Sequence, residues 1–141
     1  MLARLLAATV AGGVTFFVLG FVIYGLLLEE RVMRPNMNIY AGLMNETPVW
    51  LPLILANLIS ALLLAYIFEQ WAGIRTFIGG MKGGAIVWFL ISLSFQLMFL
   101  AFMNLHKNYI PPVADVIGSV VMGAIGGGVI GQVLGMMNKE S

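Results

Sequence analysis

The stretch that decides the fold is Val113–Met137, VADVIGSVVMGAIGGGVIGQVLGMM. It is apolar almost throughout, and it carries small residues at one spacing: Ser119, Gly123, Gly127, Gly131 and Gly135. In water, each interior glycine would cost a helix about 1 kcal/mol relative to alanine. In a bilayer no water competes for the backbone groups, and helix is nearly the only form a single segment can take. There, small residues four apart make a groove into which a second helix can press its backbone. The stretch therefore predicts a transmembrane helix at the packing centre of the molecule. Each step of four residues adds about 40° of turn, so the ladder winds round the helix and predicts contact with two neighbours or more.

The remainder of the chain agrees that lipid is the solvent. Of 141 residues, 61% are hydrophobic and 9% charged, against about 25% charged in an ordinary soluble domain. Such a chain cannot cover itself with a polar surface. The net charge is +1 with no basic tract, which leaves nucleic-acid binding without an electrostatic footing. There is no cysteine, which excludes disulfides, thiolate metal sites and cysteine nucleophiles.

Working outward, three further apolar runs read as spans. The expected fold is all-α: one integral membrane domain over 1–141, a bundle of four transmembrane helices at about 7–28, 50–68, 84–104 and 113–137. The first run exceeds 20 residues and reaches Glu29 without an A-x-A-like site, so it reads as a retained helix rather than a cleaved signal. Gly12 and Gly20, with Ala8, give it a small-residue face. Trp50 and Trp71 bracket the second span 21 residues apart. At 1.5 Å per residue that is roughly 30 Å, the thickness of the hydrocarbon core, with a tryptophan at each interface. In the third, Gly80, Gly84, Trp88, Ser92 and Gln96 share one i, i+4 row.

The first loop, about Glu29 to Thr47, is the longest and most polar. Pro35 is placed to open a helix, and Met37, Tyr40 and Met44 follow at helical spacing, which predicts a short interfacial helix. Asn45-Glu46-Thr47 matches a glycosylation sequon. The same residues also read as a helix start, with Thr47 the cap and Pro48 at the first helical position. Ala56-Asn57-Leu58-Ile59-Ser60 echoes Ala114-Asp115-Val116-Ile117-Gly118. A parallel two-helix repeat and chance similarity of apolar segments both account for it.

Four spans put both termini on one side. That side holds Arg4, Arg75, Lys82 and Lys139, the other Arg31, Arg34 and Lys107. The balance predicts cytoplasmic termini and, for a bacterial chain, a multi-pass protein of the inner membrane. Gly20-Phe21-Val22-Ile23-Tyr24-Gly25 closes the first span, Gly79 to Phe89 opens a Trp-containing third, and Val121-Met122-Gly123-Ala124-Ile125 lies in a fourth that begins near an acid. In this order the chain resembles a family of small four-span bacterial membrane proteins catalogued as a domain of unknown function. The resemblance implies a four-helix integral membrane protein and supplies no activity.

Polar groups inside spans are functional suspects, because they are costly there. Asn57, Gln96 and Asp115 are the intramembrane candidates. They read either as a solute or ion path, or as interhelical hydrogen bonds that set register. Glu29, Glu30 and His106, with Asp115, fall near one membrane face. They read as a carboxylate–imidazole cluster or as solvated helix ends. One histidine without HExxH offers no metal-hydrolase site, and no GxSxG or P-loop is present. No cofactor, no metal and no catalytic constellation are expected. The leading reading is a non-enzymatic accessory, assembly or structural subunit, with the lipid bilayer and a homo-oligomer or larger membrane complex as partners. The alternative is a small oligomeric carrier or channel for a small solute or ion.

Overall fold

The computed structural model describes residues 2–26, 34–38, 49–104 and 107–138. Four helices account for most of them: α1 (Leu2–Gly20), α2 (Trp50–Tyr66), α3 (Phe77–Phe102) and α4 (Ile110–Asn138). A π-helical turn extends α1 over 21–26, and another extends α2 over Ile67–Ala72. With these extensions, four runs are long and apolar enough to cross a membrane: Leu2–Leu26, Trp50–Ala72, Phe77–Phe102 and Ile110–Met137. The protein is an all-α, four-helix membrane protein.

The helix ends follow local chemistry. Gly73, at φ +65°, takes the left-handed turn that stops the second span. Thr76 caps α3 by accepting from the Gly79 N–H at 3.0 Å. Asn108 Oδ1 accepts from the Ile110 N–H at 2.9 Å. Pro111 and Pro112 then occupy the first turn of α4, where an N–H would lack a helical partner anyway.

Three boundaries differ from the sequence expectation. Helix α1 begins at Leu2, so Arg4 lies inside it. Helix α4 begins at Ile110, which moves Asp115 into its second turn. Helix α3 begins at Phe77, not near Gly84. Gly79, Gly80, Gly83 and Gly84 suggest a loop by the rules of water, but Gly80 and Gly84 lie against α4 and Gly79 and Gly83 against the lead-in and Phe68, and the Thr76 cap sets the true start. In the first loop a single 3₁₀ turn, Arg34–Asn36, stands where a helix was expected to open, and residues 39–48 lie outside the described residues. Val49, not Thr47, precedes α2, and it makes no side-chain cap.

Helix α4 touches all three others; α1 lies against α2 and α4, and α3 leans on α4. Within the spanning windows 39% of α4 is buried but only 11% of α3, which makes α4 the packing centre. The apolar core forms where α1, α2 and α4 meet, from Phe16, Ala61, Leu64, Phe68, Ile130 and Leu134. Phe16 stacks on Trp88 of α3 (5.2 Å between ring centres, 13° between planes) and lies against Gly126. Around this core, large apolar side chains on all four helices face outward, as expected when hydrocarbon is the solvent. Trp50 and Trp71 are both exposed, at opposite ends of the second span.

The α3–α4 seam is backbone against backbone. A Cβ placed on Gly84 would lie 2.9 Å from the Gly127 Cα, and one on Gly131 would lie 3.1 Å from the Gly80 Cα. A Cβ on Gly123 would meet Trp88 Cβ at 2.6 Å. One antiparallel register joins these pairs, and Gln96 with Asp115 extends it. Gly135 lies against the Arg75 carbonyl just before α3. Thus Gly123, Gly127, Gly131 and Gly135 face α3 or its lead-in, while the fifth rung, Ser119, lies 3.0 Å from the Tyr24 hydroxyl of the α1 extension, so the ladder meets two neighbours as its winding predicts. A partner that leans along an i, i+4 row stays with several successive rungs, while α4's other faces meet α1 and α2.

Candidate functional site

Two polar clusters lie at opposite ends of the bundle. The first is built on the seam. Asp115 and Ser119 continue the glycine row of α4 by two steps of four, and Ser92 and Gln96 continue the facing row of α3. Gln96 Nε2 donates to Asp115 Oδ2 at 2.8 Å. From the π-helical turn of α1, the Tyr24 hydroxyl donates to the Asp115 carbonyl oxygen at 3.1 Å and lies 3.0 Å from Ser119 Oγ. Ser92 and Gln96 are both buried, and the Ser92 hydroxyl donates to the Phe89 carbonyl at 3.2 Å. Gln96 Oε1 is sealed from solvent and accepts no hydrogen bond. No basic side chain among the described residues pairs with Asp115.

The second cluster was not anticipated as a site. Glu69, with 3% of its side chain exposed, lies between Arg4 at 2.8 Å and Arg75 at 3.2 Å. Arg75 also donates to the Phe68 and Ile74 carbonyls. The trio ties the start of α1, the end of the second span and the lead-in to α3 into one knot. The signal was present: Ala61, Ala65 and Glu69 fall on one i, i+4 row, and that row is the buried face of α2. A carboxylate ending an apolar stripe reads as an exposed helix end until the fold brings two arginines to it.

The remaining candidates fall elsewhere. Asn57 does not join Gln96 and Asp115. Its amide donates to the Leu53 carbonyl of its own helix at 2.9 Å. It lines an outward-facing cleft of about 250 Å³ between α1 and α2, with Gly13, Phe17 and Ile54. Gly12 is a true close approach, because a Cβ there would lie 3.0 Å from Ala61 Cβ. Gly20 is not, because its nearest neighbour would be the flexible tip of Met122 at 3.7 Å. Glu29, Glu30 and His106 lie outside the described residues. Among the described residues no group of three His, Cys, Asp or Glu side chains could hold a metal ion.

The asparagines of the first loop form a strap across the α3–α4 connection. The Lys107 N–H donates to the Asn36 carbonyl at 2.8 Å. Asn38 Nδ2 reaches the Asn104 carbonyl at 2.9 Å, and Asn108 Nδ2 reaches Asn36 Oδ1 at 2.9 Å. Met37 sits within this strap. No protein family, curated protein or solved structure matches the chain.

Proposed function

We propose that this chain is a non-enzymatic membrane subunit that assembles with a second copy or with a larger membrane complex. We place it in the bacterial inner membrane with both termini in the cytoplasm, on the balance of Arg4, Arg75, Lys82 and Lys139 against Arg31, Arg34 and Lys107. Glycine-rich faces hold the protomer together and leave apolar faces for partners.

The first half of α2 carries this reading. Residues 49–56 are exposed on every side, while Ala61, Leu64, Ala65 and Phe68 in the second half are buried. Half a span thus leaves most of its surface uncovered by its own bundle, with Leu51 and Leu55 outward, while Trp50 stays beside Phe17 of α1 and Ile54 lines the α1–α2 cleft. In lipid such a face gains by meeting another helix through packing rather than through water exclusion. The test is a photo-crosslinking side chain at Leu51 or Leu55 in intact membranes. A discrete protein adduct supports the subunit reading, and lipid adducts alone at both positions would overturn it.

The rival reading, a small oligomeric carrier, is favoured by one observation: a sealed acceptor, Gln96 Oε1, beside an intramembrane acid without a basic partner. Against it, Asn57 bonds to its own helix and lies apart from that pair, and the cleft beside Asn57 is not lined by Gln96 or Asp115. Solute-driven flux in proteoliposomes that is lost in Gln96→Leu would move the assignment to the carrier.

A further inference from the structure

We propose that the outer end of the α3–α4 seam is a binding site for one hard monovalent cation of the sodium class, held by Asp115, Gln96, Ser92 and Ser119 as a resident structural ion. Four observations converge on it. Gln96 is 8% exposed, and its Oε1 is a buried acceptor with no donor. The same amide head donates through Nε2 to Asp115 Oδ2 at 2.8 Å, which sets the amide group beside the carboxylate. No basic side chain among the described residues neutralises Asp115. The antiparallel register that pairs Gly84 with Gly127 and Gln96 with Asp115 sets Ser92 opposite Ser119, one turn further in.

The chemistry selects the ion. Every available donor is oxygen: a carboxylate, an amide carbonyl and two hydroxyls. The Ser92 hydroxyl spends its proton on the Phe89 carbonyl, and Tyr24 stands beside Ser119 Oγ at 3.0 Å, so both serine oxygens can present lone pairs inward. Oxygen donors suit hard cations rather than soft ones. Asp115 is half-buried, and its single carboxylate is neutralised by a single positive charge, whereas a divalent ion would leave a net positive charge at the seam. This site stands independently of the assembly reading, because it requires no partner chain.

The experiment uses the full chain purified in a mild detergent, with chloride salts of sodium, potassium or choline at equal ionic strength, and reads the melting temperature. Sodium at ten times its Kd is expected to raise the melting temperature by about 5 °C over choline. Asp115→Asn, which keeps the shape and removes the charge, is expected to lose the sodium-dependent rise, and Gln96→Leu to lose most of it. If Asp115→Asn does not fold, Ser92→Ala and Ser119→Ala are each expected to shift the half-saturating sodium concentration upward several-fold. Radioactive sodium should bind at one ion per chain. Equal melting temperatures in all three salts, a rise that survives in Asp115→Asn, or a rise obtained by acidification and not by sodium would each overturn the proposal. Serine variants with unchanged half-saturation would remove Ser92 and Ser119 from the site.

Discussion

Replacing Gly84 with alanine adds one methyl group where two backbones touch. The new Cβ would lie 2.9 Å from the Gly127 Cα and closer still to the Gly123 carbonyl oxygen. Ordinary carbon contacts lie at about 3.5–4.0 Å, so α3 and α4 must part by roughly 1 Å. A gap of that size forfeits about a quarter to a half of each dispersion contact along the seam. Overpacking a tight interior costs about 1–3 kcal/mol, so Gly84→Ala is expected to lose about 2 kcal/mol, and Gly127→Ala a similar amount. The double variant should cost less than the two together, because one widening relieves both clashes. Gly20→Ala is the internal control: its Cβ would meet only Met122 Cε at 3.7 Å, and its stability should stay within about 0.5 kcal/mol of the parent. The assay is reversible unfolding in mixed micelles followed by circular dichroism. If Gly84→Ala costs no more than Gly20→Ala, the close-approach reasoning fails.

Other outcomes follow from the same packing. Glu69→Gln leaves Arg4 and Arg75 without their carboxylate; breaking a buried pair costs about 3–5 kcal/mol, reduced here to about 2–3 because both arginines keep some exposure. The same unfolding assay should show it, and a loss below that of Gly20→Ala would mean the knot carries no stability. Phe16→Ala empties the space between Trp88 and Gly126 and should cost about 3–5 kcal/mol, with a shift in tryptophan emission. An unshifted spectrum would contradict the stacking. Asn57→Leu should be neutral within about 0.5 kcal/mol, because its bond is to its own helix, whereas Gln96→Leu should lose about 0.6–2 kcal/mol. The reverse order would exchange their roles.

The sequence made the spans legible because each is an apolar run of membrane-crossing length, and it made the seam legible because both of its rows keep a spacing of four. The row Gly80, Gly84, Trp88, Ser92 and Gln96 lies on the α4 side of α3, with all but Trp88 buried. What failed was the start of α3, where four glycines imitated a loop; the small size of Gly80 and Gly84 serves contact with α4 instead. Glu69 was not legible as a buried residue, because its partners come from positions 65 residues before it and six after it. Nor could the sequence separate Asn57 from Gln96. Both are amides within apolar runs, and only the fold turns one to its own backbone and the other to Asp115.

Solid-state NMR of the glycine-labelled protein in lipid bilayers tests the seam most directly. Backbone contact between α3 and α4 predicts through-space cross peaks joining Gly84 to Gly127 and Gly80 to Gly131. Absence of those peaks, with the glycines of α4 correlating instead to lipid acyl chains, would contradict it.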